Sequence, residues 1–275
     1  MYSFSKLSSI DNCPYQYYLQ YVKECGACKW YASKSKICEN KECIYFGRTV
    51  EENSCCNKYV GYDSSDNAFS QCGSLVHEIL EGYAKGKFDT EELAELFELY
   101  FDDYVKSDFP FSLREKYYDS SIDYLKKFTG FDGYDIIGSE IYFVIELDGG
   151  VLFRGIIDLL LRDKKDGRFI ICDYKSKSSF KSKQEKAEYV RQLYLYSMYV
   201  MKEYGEFPKE LVFILFRKQD YVTFEFKEEL LEEAKEWAHK QIKKINDRKE
   251  FEANPKGFFC WNLCNYSKSC LKKKG

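Results

Sequence analysis

The amino-acid sequence predicts an α/β fold in which a mixed central sheet is flanked by helices and carries a small cysteine-rich insertion. Two observations support this fold class. The patterned segments follow the order helices, three strands, a helix, two strands and a helix, which is typical of one sheet covered by helices. In addition, two apolar stretches within residues 153–178 flank a polar turn at residues 163–167, which is the pattern of a β-hairpin.

The first part of the chain is predicted to be mainly helical. A short helix follows Cys13, and a longer one begins near Ser70 with apolar residues at helical spacing. Residues 91–106 and 113–129 have the pattern of two further amphipathic helices. Residues 24–66 follow neither a helical nor a strand period and are rich in Cys, Lys, Ser, Asn and Glu, so we interpret them as an inserted module.

The second part of the chain contains the predicted strands and the last two helices. The first strand begins near Gly138, and the hairpin follows it. A helical pattern returns at residues 184–204, and residues 211–216 and 221–226 form a further strand pair. Residues 227–247 have one continuous apolar face and predict a strongly amphipathic helix.

Composition and length indicate a globular, intracellular protein. The 275 residues include 42 basic and 45 acidic side chains, so any contact with nucleic acid would depend on local patches. No apolar run reaches transmembrane length and no signal-peptide core follows the first residues, so we expect a cytoplasmic protein without membrane contact. We predict one large domain, residues 1–23 and 67–275, and a separate insertion at residues 24–66.

The hairpin carries charged side chains at positions that should be buried. If the turn centres near Lys165, Asp158 and Asp173 lie opposite each other, roughly 5 Å apart on one face. Period-two alternation places Lys175 on the face of Asp173. A divalent cation such as Mg²⁺ or Mn²⁺ would relieve the repulsion between the two carboxylates, because these ions prefer oxygen ligands. The alternative is a buried Asp–Lys ion pair that only ties the hairpin together and leaves the second carboxylate unpaired.

Four residues elsewhere in the chain are candidates for the same site. His77 lies on an otherwise apolar helix face, where a histidine packed in the core is the alternative. Glu140 opens the strand before the hairpin and could turn toward the site or remain exposed at the strand end. Gln192 and Tyr196 are four residues apart and therefore share a helix face, although a polar stripe at the core edge has the same pattern.

Twelve cysteines are unusual for a chain expected in a reducing compartment, where such density indicates metal or cluster ligation before disulfides. Three of them lie in the last residues of the chain and, with one distant partner, make a set of four thiolates. Such a set can hold an iron–sulfur cluster or Zn²⁺ and would join the two ends of the chain. Its members are Cys13, Cys260, Cys264 and Cys270. Free buried cysteines are the alternative, although packing hardly explains three thiols in a polar tail.

A second cysteine group lies in the insertion, where Cys25 and Cys28 form a CxxC knuckle and Cys38 and Cys43 form a wider pair. This layout resembles that of a small zinc ribbon, and Cys55 or Cys56 could replace one member. The segment has too few apolar residues to fold alone, so the binding of Zn²⁺ would supply the folding free energy that a small hydrophobic core cannot. A disordered loop that carries thiols is the alternative, and contact with DNA or a partner protein is the expected use of the module.

Several short motifs occur in a fixed order along the chain. They are SFSKL, CPYQYYLQY, GSLVHEILE, an isolated Glu, GIIDLLL, DYKSK, QLYLY and the terminal cysteine cluster. This order resembles the PD-(D/E)XK nuclease superfamily and, more narrowly, RecB-type exonuclease domains with an iron–sulfur cluster, similar to the AddB nuclease domain and the CRISPR-associated adaptation nucleases. The resemblance covers nearly the whole chain except residues 24–66 and implies a restriction-endonuclease-like sheet.

The resemblance also implies a role for each motif residue. The ligands of Mg²⁺ or Mn²⁺ would be His77, Glu140, Asp158, Asp173 and the backbone carbonyl of Tyr174. Lys175 would orient or activate the attacking water and steady the scissile phosphate, while Gln192 and Tyr196 would hold the DNA strand. A [4Fe–4S] cluster would bind to Cys13, Cys260, Cys264 and Cys270. Three residues separate Cys260 from Cys264, where the family more usually has two.

We therefore predict a metal-dependent deoxyribonuclease, an exonuclease that hydrolyses phosphodiester bonds in DNA recombination, repair or phage replication. DNA ends or single strands are the expected substrate, and a helicase or recombination protein is a candidate partner. One alternative is a nuclease that trims DNA for CRISPR integration. The other is a DNA-binding or scaffold protein that keeps the fold but does not cut, and the intact Asp158, Asp173 and Lys175 argue against it.

Overall fold

The computed structural model of the chain describes residues 1–32, 34–54, 59–61, 64–268 and 270. The chain divides into two compact units. The first unit consists of residues 1–4 and 67–240, and the second consists of residues 5–66 and 241–275. Residues 24–66 therefore belong to the second unit, together with residues 5–23 and the C-terminal segment. No helix within the described ranges is long and apolar enough to cross a membrane.

The regular elements agree closely with the predicted order. The strands are β1 (Tyr31–Ala32), β2 (Ile37–Cys38), β3 (Tyr134–Leu147), β4 (Val151–Asp163), β5 (Phe169–Lys175), β6 (Glu210–Leu215) and β7 (Asp220–Glu225). The helices are α1 (Phe4–Asn12), α2 (Pro14–Tyr21), α3 (Ala68–Ala84), α4 (Leu93–Tyr104), α5 (Leu113–Lys127), α6 (Lys183–Tyr204) and α7 (Glu228–Asp247). The predicted helices and strands of residues 67–247 are thus all present.

The first unit is built on a mixed sheet with the strand order β3-β4-β5-β6-β7. Only β5 and β6 run parallel; the other neighbours are antiparallel. The predicted hairpin is confirmed, because β4 pairs with β5 in a register that places Leu159 opposite Cys172. Its turn is closed by Gly167 in the left-handed region, at φ 75°, where glycine has no side chain to clash. A mixed sheet flanked by helices is therefore the observed architecture.

Capping residues fix the ends of the two helices that bear on the sheet. The side chain of Asn67 accepts a hydrogen bond from Ser70 N at 3.0 Å, so α3 starts two residues before the predicted position. Ser182 caps α6 in the same way through Glu185 N at 3.0 Å, and left-handed Gly205 ends that helix. The apolar face of α3 packs against one face of the sheet, and its residues share a core with side chains of β4, β5 and β6. This packing holds α3 over the centre of the sheet.

On the face of the sheet opposite to α3, Gly155 in β4 allows the rings of Phe143 and Tyr196 to lie close to the backbone. A Cβ atom added there would lie 2.5 Å from Cζ of Phe143 and 2.6 Å from Cε1 of Tyr196. Both rings belong to packed side chains, so neither can yield without moving β3 or α6. We expect Gly155→Ala to lower the free energy of unfolding by about 1–3 kcal/mol, as overpacking does in other cores.

The matched control for this variant is Gly133→Ala, because no atom of the described residues, apart from its two chain neighbours, lies within 4 Å of a Cβ built at Gly133. Thermal unfolding of both variants measures the difference. Equal unfolding temperatures for the two variants would show that the core around Gly155 is loosely packed, contrary to the structure.

The second unit contains α1, α2, the two-residue strands β1 and β2, and a π-helical turn at Phe259–Leu263. Its N-terminal and C-terminal segments are joined by polar contacts. Asp11 accepts a hydrogen bond from the Gln241 side chain at 2.7 Å and forms an ion pair with Lys244 at 2.8 Å. In addition, the ring of Phe251 stacks on Tyr17 with a centroid distance of 5.8 Å.

Candidate functional site

The hairpin brings two carboxylates toward each other where its ladder of backbone hydrogen bonds ends. The last antiparallel pair is Leu159 with Cys172, and the same register places Asp158 opposite Asp173 one residue further on. The backbone N–H of Tyr174 donates a hydrogen bond to Asp158 Oδ2 at 3.0 Å. A side chain thus takes the place of the next ladder bond, and this fixes the Asp158 carboxylate at the end of the paired strands.

Glu140 lies beside Asp158 on the other neighbouring strand, but not where the sequence predicted it. The strand β3 begins at Tyr134, so Glu140 is an internal residue and the expectation that it opens the strand is wrong. It falls between the pairs Ser139–Leu159 and Ile141–Ile157 and has a left-handed backbone, with φ 50°. This conformation is uncommon for a residue with a side chain and occurs mostly where surrounding structure or function requires it.

His77 reaches the carboxylates from α3. Its Nε2 donates to the carbonyl oxygen of Tyr174 at 3.1 Å, and its Nδ1 lies 3.5 Å from Asp158 Oδ2. Burial lowers the pKa of His77, which favours the neutral imidazole. With the proton on Nε2, the lone pair of Nδ1 faces a carboxylate oxygen, an arrangement that a cation between the two atoms would stabilise. The carbonyl of Tyr174 has a second lone pair, so its hydrogen bond to His77 is compatible with the predicted role as a metal ligand.

Three side chains can offer ligand atoms to a single ion. One such atom from each of His77, Glu140 and Asp158 lies within 4.8 Å of the other two. Ligand atoms about 2.1 Å from a Mg²⁺-sized ion lie roughly 3–4 Å apart, so only a small closure is needed. The donor set of two carboxylates and one imidazole fits Mg²⁺ or Mn²⁺.

The protonation of the two ligand carboxylates also indicates a site for positive charge. Burial, followed by the charge of Asp173, raises the pKa of Asp158 well above its ordinary value. Burial and then the charge of Glu81 raise the pKa of Glu140. Negative charge is therefore disfavoured at both positions in the protein alone, and a bound cation would reverse this effect.

Lys175 lies at the end of β5 and pairs with Asp173. Its Nζ is 2.5 Å from Asp173 Oδ2, and the two side chains are 20% and 3% exposed. Burial alone would lower the pKa of Lys175, but the charges of Asp173 and Asp158 outweigh this effect, so its pKa is raised. The ammonium group therefore stays charged beside the candidate metal ligands. Asp173 faces this lysine and lies outside the three-residue set described above.

Gln192 and Tyr196 share a face of α6, as predicted from their spacing. Gln192 Nε2 donates to the Tyr196 hydroxyl at 3.0 Å, and the Tyr196 ring packs edge-on against Phe143. Burial raises the pKa of Tyr196 to about 12, and Asp173 contributes to the same shift. The pair thus lies near the acidic residues, and its contact with DNA remains a prediction.

Two charged residues near the site were not predicted. Glu81 lies one helical turn after His77 on α3, interacts electrostatically with Glu140 and pairs with Lys85. Arg217 follows β6, donates to Ser176 O at 3.4 Å and stacks 3.5 Å from the ring centroid of Tyr117. The four-residue spacing from His77 could have identified Glu81, whereas nothing local marks Arg217.

The four terminal thiols meet around one small cavity of the second unit. Backbone N–H groups point at two of them: Asn254 N donates to Cys13 Sγ at 3.4 Å, and Lys256 N donates to Cys260 Sγ at 3.1 Å. Burial raises the pKa of Cys264, and the nearby charges of the other three thiols add to this shift. The residues predicted to form one set are Cys13, Cys260, Cys264 and Cys270.

The fold and the site together define an α/β protein with a candidate divalent-metal centre next to the point where the pairing of β4 with β5 ends. The family model of the PD-(D/E)XK nuclease superfamily matches residues 54–271, and the chain belongs to this superfamily. Its members typically use divalent metals. A solved structure titled "Crystal structure of SSO0001" is similar to this chain, with 13% identity over 74% of this chain and 86% of that chain and a TM-score of 0.33. No curated protein matches the sequence.

Proposed function

We propose that this protein is a metal-dependent deoxyribonuclease that removes nucleotides from DNA ends. The observation that carries the proposal is the set of His77, Glu140 and Asp158 around one position, with the Asp173–Lys175 pair beside it. Membership of the nuclease superfamily supports hydrolysis of DNA as the reaction. A role in recombination, repair or phage replication remains a prediction.

Each of these side chains has a separate role in phosphodiester hydrolysis. A divalent ion bound by the carboxylates and the imidazole would supply Lewis-acid charge at the scissile phosphate. Tyr174 N orients the Asp158 carboxylate, and the neutral ring of His77 is held by the Tyr174 carbonyl. Lys175 places a fixed positive charge next to the reacting phosphate, where negative charge develops in the transition state.

We also propose that Cys13, Cys260, Cys264 and Cys270 bind a [4Fe–4S] cluster. Their thiols surround one cavity, and backbone N–H groups donate hydrogen bonds to the sulfurs of Cys13 and Cys260, as they do to the sulfurs of iron–sulfur clusters. The cluster would hold the N-terminal and C-terminal segments of the second unit together. A four-thiolate Zn²⁺ site is the alternative, and iron and zinc analysis of anaerobically purified protein distinguishes the two.

The proposed activity is tested with end-labelled linear DNA, single-stranded and double-stranded, in Mg²⁺ or Mn²⁺. A circular single strand is the matched substrate because it has the same chemistry and no ends. We expect release of label from the linear substrates, no loss of the circle, and no reaction in EDTA. Equally fast cutting of the circle would show an endonuclease, and DNA binding without any cleavage would favour the scaffold alternative.

A further inference from the structure

The segment of residues 24–66 has an unusual core. Its described regular structure is limited to a 3₁₀ turn at Cys25–Ala27 and the two-residue strands β1 and β2. Among the residues that the structure describes in this segment, six are buried together and four of these are cysteines: Cys25, Cys28, Tyr31, Cys38, Cys43 and Val50. The four cysteines are only 2%, 2%, 3% and 5% exposed. So small an apolar cluster cannot offset the conformational entropy of ordering about forty residues.

The backbone presents these cysteines on two tight turns. The first is the CxxC turn, in which Cys28 N donates to Cys25 O at 2.9 Å. The second turn encloses Cys38 and Cys43: Cys43 N donates to Asn40 O at 3.0 Å, and Gly47 N donates to Cys38 O at 2.8 Å. Two thiol-bearing turns of this kind can supply paired ligands to one tetrahedral metal ion.

The side chains connect the two turns. The thiols of Cys38 and Cys43 are hydrogen-bonded, and Cys28 lies close enough to Cys38 to interact with it electrostatically. The N–H of Val60 donates to Cys28 Sγ at 3.5 Å, which directs a donor at sulfur from a third part of the segment. The sulfurs of Cys28, Cys38 and Cys43 thus approach one another from two turns, within a cluster that also contains Tyr31 and Val50.

We propose that Cys25, Cys28, Cys38 and Cys43 bind one structural Zn²⁺ that fixes the fold of residues 24–66. Four thiolates in two short-range pairs are the preferred tetrahedral ligand set of this ion. Cys55 and Cys56, considered as replacements, lie outside the described residues. The proposal is independent of the nuclease activity, because it concerns the second unit, whereas His77, Glu140 and Asp158 belong to the first.

The proposal is tested on the full chain, purified under reducing, anaerobic conditions, by metal analysis. We expect about one Zn²⁺ per chain in the wild type and a loss of at least tenfold in Cys28→Ser and Cys38→Ser. The matched control is Cys72→Ser, because Cys72 is equally buried but lies in α3, and it should retain the metal. Cys13→Ser should also retain it, which separates this site from the terminal cysteine set.

A second measurement covers the case in which the serine variants fail to fold. Stepwise modification of wild-type thiols by a mercurial reagent, in the presence of a zinc-sensitive dye, should release the one Zn²⁺ as about four thiols react. A wild type without zinc, full zinc content in folded Cys38→Ser, or an intact mass lower by two disulfides in metal-free wild type would each overturn the proposal.

Discussion

Replacement of Lys175 by Met should reduce DNA cleavage by about 100-fold to 1000-fold, the usual cost of removing one group that stabilises developing charge. Lys175 Nζ lies 2.5 Å from Asp173 Oδ2 and is 20% exposed, so it is held beside the carboxylates and is still open to a phosphate. DNA binding should persist, because the other basic side chains are unchanged. The measurement is the initial rate of label release from linear DNA with saturating Mn²⁺.

The matched control for the loss of a lysine ion pair is Lys209→Met. Lys209 pairs with Asp163 at 2.5 Å and with Asp166 at 2.8 Å, and it is 17% exposed, so its environment resembles that of Lys175. It contacts the turn of the hairpin, at the opposite end from the candidate site. Lys209→Met should keep its cleavage rate within a few-fold of the wild type. If both variants lose activity equally while remaining folded, Lys175 has no special role in the reaction.

Replacement of Asp158 by Asn should abolish cleavage and at the same time stabilise the metal-free protein. In the wild type, Tyr174 N donates a hydrogen bond to Asp158 Oδ2 at 3.0 Å, and the Asn side chain keeps an oxygen that can accept this bond. It removes the negative charge that burial and Asp173 disfavour. We expect the unfolding temperature in EDTA to rise by about 2–4 °C, the shift that roughly 1 kcal/mol produces in a domain of 150–250 residues.

The pH dependence of this gain follows from the raised pKa of Asp158. The folded state binds more protons than the unfolded state, so the contribution of Asp158 to stability falls as pH rises from its ordinary pKa through the raised one. The difference between the Asn variant and the wild type should therefore grow as the pH increases over that interval. A lower unfolding temperature for Asp158→Asn at neutral pH would assign Asp158 a structural role.

The local features of the fold could be predicted because they depend on short-range patterns. The hairpin turn and the alternation around it placed Asp158, Asp173 and Lys175 on paired strands, and helical spacing identified α3 and α6 within two residues. The start of β3 was missed, since the register shift between Ile136 and Gly138 interrupts its alternation. Such an irregularity depends on how the partner strand pairs and is not encoded in the spacing alone.

The site itself was only partly predictable for the same reason. Glu140 has a left-handed backbone where it lies beside Asp158 in the sheet, and its sequence neighbours do not predict this conformation. The contact of His77 with Tyr174 joins residues 97 positions apart. The terminal thiols could be grouped from composition, whereas their convergence on one cavity is a long-range property of the second unit.

In the proposed nuclease, Asp158 binds the divalent ion together with His77 and Glu140. This role is tested by Mn²⁺ binding, measured from the electron paramagnetic resonance signal of free Mn²⁺ in the presence of protein without DNA. We predict a Mn²⁺ site in the wild type that is weakened at least tenfold in Asp158→Asn and kept in Lys209→Met. Equal Mn²⁺ affinity in the wild type and in folded Asp158→Asn would show that Asp158 does not bind the ion.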